Sequence, residues 1–264
     1  MNFPRVLADS PTANLLWELT ISQVKLRYKR SALGLGWSLL HPLLMMTVFT
    51  VVLGRFPRLA DLPVPYHIFF LSGYLPWTFF ATTINNGQAS LLANASLVKQ
   101  VAMRKWLLPV ASVGANLVHA VLAMGLFVLY LLAHPAIDAG AGLLWLAPLM
   151  LVQTIAMTGL VLALSAWVVS FRDLGPILEV VLAFLFYLTP VFYAFSIFGP
   201  ADAWLVAVLK INPLAALLAC YRAAMFGGPL PIGSLLYTLA WTAALLALGA
   251  RVFARRAGGV AKEL

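Results

Sequence analysis

The chain has 264 residues, 63% of them hydrophobic and only 9% charged, with a mean hydropathy of +0.97. A soluble domain of this length needs roughly 25% charged residues to keep its surface solvated, so the solvent for most of this surface is lipid. The net charge of +9 forms no nucleic-acid face, because the basic residues sit between apolar runs, where they read as topology signals and contacts to anionic headgroups.

The first segment, residues 10–32, precedes any apolar run. Ser10-Pro11 suits a helix start, with serine as N-cap and proline in the first turn. At about 100° per residue, Trp17, Ile21, Val24 and Tyr28 share one stripe, Glu18, Lys25 and Lys29 flank it, and Leu15, Leu19 and Leu26 lie nearly opposite. Apolar groups on two sides predict a helix held between lipid and protein at the membrane interface. Its basic residues Lys25, Arg27, Lys29 and Arg30 have two readings. They anchor the orientation of the chain, or their guanidinium and ammonium groups receive a lipid diphosphate. The first apolar run begins only near Trp37, too far into the chain for a signal peptide. Just before it, Leu33-Gly34-Leu35-Gly36 alternates two glycines and allows a sharp bend. This is not a phosphate-binding P-loop, which needs further glycines and a Lys-Ser/Thr pair, and nothing in the chain matches that pattern. Any ATP-driven work must therefore come from another subunit.

Six apolar runs follow, at 37–53, 66–84, 107–132, 143–169, 177–195 and 232–252. A span needs about 20 apolar residues to cross about 30 Å of hydrocarbon, so the expected fold is an all-α membrane domain occupying the whole chain, 1–264. The third and fourth runs exceed that length and must tilt or protrude. With the N-terminus inside, the cytoplasmic side holds Arg5, Lys25, Arg27, Lys29, Arg30, Lys99, Arg104, Lys105, Arg172, Arg251, Arg255, Arg256 and Lys262. The outside holds Arg55, Arg58, Lys210 and Arg222. Thirteen against four, which accounts for all 17 Lys and Arg, is a strong positive-inside bias and predicts both termini in the cytoplasm of an inner-membrane protein.

Residues 196–228 break the pattern. Two apolar pieces, 203–209 and 214–226, flank Lys210-Ile211-Asn212-Pro213, and each is too short to span. Fusing them into one span would put Arg251, Arg255, Arg256 and Lys262 outside, against the charge rule. The expectation is a re-entrant hairpin on the external face, since irregular backbone at that depth is tolerated only against protein or a cavity.

Chemistry-bearing constellations are few. The loop between the second and third runs carries Lys99, Arg104, Lys105 and Trp106, either as solvated topology charges or as a short surface helix that another protein holds. The Arg172-Asp173 turn has the same two readings. Aromatic residues concentrate in the second run (Tyr74, Trp77, Phe79, Phe80) and the fifth (Phe184, Phe186, Tyr187, Phe192, Tyr193), as interfacial belts or as a conduit wall offering flat faces to sugar rings. His41, His119 and Glu179 are the ionisable groups singled out within the runs. They form no proton relay, so a proton pump is disfavoured. The single cysteine, Cys220, allows no disulfide within the chain and no thiolate metal site.

An ordered set of motifs carries a resemblance over nearly the whole chain. Trp17-Glu18-Leu19, then Lys25-Leu26-Arg27-Tyr28-Lys29-Arg30-Ser31, Leu33-Gly34, Trp37 and His41-Pro42-Leu43, then Phe171-Arg172-Asp173-Leu174, Thr189-Pro190-Val191-Phe192-Tyr193 and Asn212-Pro213-Leu214, resemble type-2 ABC exporter permeases for O-antigen polysaccharide and teichoic acid. The resemblance implies a six-span permease that pairs with a second copy and with two ABC ATPase subunits, which bind the ATP and magnesium; this chain holds no cofactor and performs no catalysis. The cargo it implies is a polysaccharide linked to undecaprenyl diphosphate, with capsule, teichoic acid, drug or small-lipid export as alternatives; a non-transporting scaffold is a further reading. It places substrate entry near the basic helix and Leu33-Gly34. It also implies a coupling helix over roughly 96–106, a conduit lined by the first and fifth spans, and an external gate formed by the short helices before the last span.

Overall fold

The computed structural model describes residues 11–28, 34–54, 62–101, 103–134, 140–259 and 263, and every regular element among them is helical. In chain order these are α1 (Pro11–Tyr28), α2 (Trp37–Leu53), α3 (Tyr66–Gln88), the short α4 (Ser90–Ala93) and α5 (Ala95–Gln100), α6 (Leu107–Ala133), α7 (Leu146–Ser170), α8 (Leu174–Leu188), α9 (Ala203–Lys210), α10 (Pro213–Met225) and α11 (Ile232–Arg256).

Among the described residues, three helical stretches are long and apolar enough to cross a membrane: Leu107–Ala133, Gly140–Ser170 and Ile232–Arg256. The bent pair α9–α10 would make a fourth if it were one span. Helix α3 falls short in hydropathy, not in length. It carries Ser72, Thr78, Thr82, Thr83, Asn85, Asn86 and Gln88, and it can do so because it packs on α2, α6, α7, α8 and α10 at the centre of the bundle. Ile68, Phe70, Ser72 and Thr83 are completely buried there. A helix surrounded by protein needs no lipid-compatible surface, whereas α11, with only 17% of its apolar window buried, needs one along most of its length.

The run expected over 177–195 is not one helix. Helix α8 begins at Leu174 and stops at Leu188, because Pro190 has no N–H and pushes Thr189 into extended backbone at φ −101°, ψ 133°. Phe192 and Tyr193 therefore lie in the bend beyond α8 and not on it.

Helices α7 and α11 make the most extensive contact in the structure. Gly159 and Gly249 allow it: a Cβ on Gly249 would overlap the Gly159 carbonyl oxygen, and a Cβ on Gly159 the Leu245 carbonyl. Without a hydrophobic drive between helices in lipid, such close backbone approach supplies the van der Waals attraction.

Candidate functional site

Helices α9 and α10 meet at a bend of 100°. Asn212 builds that corner. Its Oδ1 accepts the Leu214 N–H at 2.9 Å as N-cap of α10, with Pro213 at the first helical position. Its Nδ2 donates to Thr189 Oγ1 at 2.8 Å, tying the corner to the end of α8. From α11, the Tyr237 hydroxyl donates to the Ile211 carbonyl at 2.6 Å.

Two further nodes seat α10 in the bundle. The Tyr221 hydroxyl donates to Gln153 Oε1 at 2.9 Å, and Gln153 Nε2 donates to the Pro76 carbonyl at 2.8 Å, joining α10, α7 and α3. Tyr221 is 0% and Gln153 2% exposed, so this network is shielded from water and its members depend on one another. Beside it, Arg222 Nη2 donates to the Val191 carbonyl at 2.9 Å and Nε to Ser72 Oγ at 3.3 Å, while its guanidinium lies 3.8 Å from the Phe69 ring centroid. The Tyr66 hydroxyl donates to the Phe192 carbonyl at 3.0 Å and the Tyr193 hydroxyl to the Tyr187 carbonyl at 3.1 Å. The bent pair α9–α10, the bend after α8 and the first turns of α3 are thereby one connected unit.

An aromatic cluster backs this unit. Phe49 stacks on Phe70 at 4.7 Å, Phe70 on Tyr74 at 5.0 Å, and Phe186 lies 5.5 Å from both Trp77 and Phe192. The six aromatic residues expected to line a conduit separate into two groups. Tyr74, Trp77 and Tyr193 are buried and Phe192 is partly buried, whereas Phe184 and Tyr187 are 68% and 64% exposed. On the same helix Val180, Val181 and Leu188 are exposed, and Leu44, Val48, Val51 and Val52 are exposed on α2. The two helices touch through Phe49 and Phe186.

Of the basic segment, Lys25 is exposed, and Arg27 donates from Nη2 to Asn116 Oδ1 on α6 at 3.0 Å. The same oxygen accepts Asn86 Nδ2 at 3.0 Å, and Asn116 Nδ2 donates to the Ser112 carbonyl at 2.8 Å. Lys29, Arg30 and Leu33 lie outside the described residues. Gly34 opens a 3-10 turn, Gly34–Gly36, with φ +48°, a conformation that costs other residues about 1–2 kcal/mol. His41 Nε2 and the Tyr74 hydroxyl pair at 3.0 Å, His119 is buried on α6, and Glu179 is exposed.

The residues expected to meet an ATPase also divide. Lys99, Arg104, Arg172 and Asp173 are exposed. Lys105 is half-buried and donates to the Ala257 carbonyl at 2.7 Å, satisfying an orphan acceptor at the C-terminal end of α11. Sequence reasoning missed Arg222, Gln153, Tyr221 and Asn116. Arg222 was legible: an arginine inside an apolar stretch at membrane depth is a functional suspect, not only a topology charge. Among the described residues no group of three or more His, Cys, Asp or Glu is placed to hold a metal ion.

The chain matches the ABC-2 type transporter family over residues 14–226, from α1 to the end of α10. It is similar to the O-antigen export system permease protein RfbA of Klebsiella pneumoniae, 27% identical over 219 residues that cover 82% of each chain. It is also similar to the protein of the same name from Myxococcus xanthus, 29% identical over 234 residues that cover 88% of each. With the matched region spanning the bent pair, the α2–α8 face and the basic N-terminal helix together, this all-helical membrane chain belongs to the ABC-2 type transporter family.

Proposed function

We propose that this chain is the membrane subunit of an ATP-driven polysaccharide exporter of the O-antigen class. In this reading α2, α3, α6, α7, α8 and α11 are six spans, α1 lies at the cytoplasmic interface, and both chain ends are cytoplasmic. The positive-inside count supports the orientation, and the 100° corner supports a pair that dips in from the outer face and returns. As an external gate, that pair would respond to α8 through Asn212–Thr189 and Arg222–Val191.

The observation that carries the reading is the α2–α8 face. Exposed apolar side chains need no partner in lipid, but α8 is the shortest of the six proposed spans and, like α2 with Pro42, has a single buried residue among its described side chains. Its 15 residues cover about 22 Å against a hydrocarbon core of about 30 Å, and Leu182 is its one buried residue. A short, barely packed helix ending in exposed aromatic rings suits an interface with a second copy around a polar conduit better than it suits lipid. Phe184 and Tyr187 would line that conduit, giving sugar rings apolar contact without tight hydrogen bonding, so a polymer can slide. Tyr74, Trp77, Phe192 and Tyr193 would stiffen the wall behind them. The cargo would be a glycan on undecaprenyl diphosphate, entering past Lys25, Arg27, Lys29 and Arg30 and the Leu33-Gly34 turn. Two copies of an ABC ATPase would bind ATP and magnesium and press on Lys99, Arg104, Arg172 and Asp173, with Lys105 passing the displacement to α11.

A strain lacking this gene tests the assignment. It should accumulate lipid-linked glycan inside the cell and lose the surface polymer. The wild-type gene should restore export, and Phe184→Ala/Tyr187→Ala should not, at equal protein level in the membrane. Loss of capsule or teichoic acid in place of O-antigen would reassign the cargo within the family. A full complement of every surface polymer would refute polysaccharide export.

A further inference from the structure

Two cavities lie side by side along α2, α3 and α6. One, of about 380 Å³, is lined by Arg27, His41, Thr82, Asn116 and His119, by the polar side chains of Thr78, Gln153 and Tyr221, and by apolar residues. The other, of about 300 Å³, is lined by Met46, Leu71, Leu126 and Phe127 and ends at His67 and Tyr130. Pro42, Leu75 and Ala123 border both, so the two form one groove. Along α6 it runs from Asn116 to Tyr130, about 21 Å at about 1.5 Å per residue. Leu43 on α2 and Leu126 on α6 are exposed at its rim, and α2 packs more on α3 than on α6. One end is polar and basic and the middle is apolar. The far end is closed by His67 Nε2 and the Tyr130 hydroxyl, paired at 3.0 Å.

We infer that this groove holds one acyl chain of an anionic membrane phospholipid, with its phosphodiester against Arg27. Each cavity falls within the span of about 300–1,000 Å³ that ligand sites occupy. The groove is longer than the hydrocarbon of one leaflet, about 15 Å, so a chain and the start of its headgroup both fit. A guanidinium in the polar mouth matches phosphate oxygens, and Arg27, the one Lys or Arg among the described lining residues, balances a single phosphodiester better than a diphosphate. Phe184 and Tyr187 take no part in the lining, so the groove is separate from the α2–α8 face and the assignment does not rest on which glycan is exported. A resident lipid here fills the space between α2 and α6 with a deformable chain, which lets α2 shift without opening a void.

The test is native mass spectrometry of the full chain with added phosphatidylglycerol, phosphatidylethanolamine or undecaprenyl phosphate. Wild-type protein should retain phosphatidylglycerol most strongly. Arg27→Gln should weaken phosphatidylglycerol about fivefold, the worth of one basic side chain at a membrane surface, and leave phosphatidylethanolamine unchanged. Ala123→Phe, which fills the shared middle, should weaken both phospholipids at least about tenfold, while Leu129→Phe on the lipid-facing side of α6 changes neither. Arg27 is exposed, so its variant reads the headgroup contact even if Ala123→Phe fails to fold. Equal retention of phosphatidylglycerol and phosphatidylethanolamine by the wild type would overturn the proposal, as would wild-type binding by Arg27→Gln. One-for-one displacement of phosphatidylglycerol by undecaprenyl phosphate would hand the groove to the carrier lipid and equally overturn it.

Discussion

Replacing Tyr221 by Phe removes one hydroxyl from the centre of the protein without opening a cavity. That hydroxyl is 2.9 Å from Gln153 Oε1, and both residues are buried, so no water replaces the lost partner. Interhelical hydrogen bonds in membrane proteins average about 0.6 kcal/mol and reach about 1.7, while a buried polar group left unmatched costs about 1–3 kcal/mol. Tyr221→Phe strands the Gln153 carbonyl oxygen and should cost about 1–2 kcal/mol. Gln153→Leu strands the Tyr221 hydroxyl and also removes the donor to Pro76, and should cost about 2–3 kcal/mol. In the double variant nothing is left to strand at Tyr221, so its cost should match that of Gln153→Leu alone within about 0.5 kcal/mol. Reversible unfolding in mixed detergent micelles, read by tryptophan fluorescence, measures all three. The expected coupling is then the Tyr221→Phe cost itself, about 1–2 kcal/mol. Additive single costs would mean that α10 is not seated on α7 and α3 through this bond, and the unit built on the bent pair α9–α10 would lose its central support.

Two other outcomes follow from the same geometry. Gly258 follows α11 in open space, and the native Cys220 is buried, so a thiol introduced as Gly258→Cys is the reactive one. In intact cells it should resist a membrane-impermeant maleimide and react after permeabilisation; labelling from outside would put the end of α11 on the outer face, as a true α9–α10 span would, and refute the proposed topology. Gly249→Ala should lower stability by at least about 2–3 kcal/mol, at the upper end of overpacking costs, because the atom its Cβ meets is Gly159 backbone. Gly125→Ala on α6, where a Cβ meets nothing, should leave stability unchanged or raise it by up to about 1 kcal/mol, and equal effects at both sites in a melting assay would contradict the α7–α11 contact.

Much of the helical layout was legible because hydropathy and helix punctuation agree. Helices α2, α6 and α11 start at the first residue of their apolar runs, and Asn212-Pro213 marks the corner in sequence as well as in space. The misplaced end of α8 has a simple cause. Residues 189–195 remain mostly apolar, so hydropathy continues through them, while the chain turns on the N–H that Pro190 lacks. Lys105, read by its charge as a candidate partner contact, also donates to the end of α11, 152 residues away in sequence. Its spacing from any neighbour in the chain could not have disclosed that.

By itself, the sequence determined that this is a membrane protein and where most of its helices begin, because those properties follow from transfer between water and lipid residue by residue. Only the tertiary structure decided that the least apolar long helix, α3, is the central one, that Arg222 and Gln153 fasten α10 to it, and that Asn212 ties the α9–α10 corner to the end of α8. It also decided that Phe184 and Tyr187 face outward while Tyr74 and Trp77 face in. In lipid, apolarity no longer distinguishes inside from outside; small residues at close approaches and polar side chains in register do, and their partners lie on other helices.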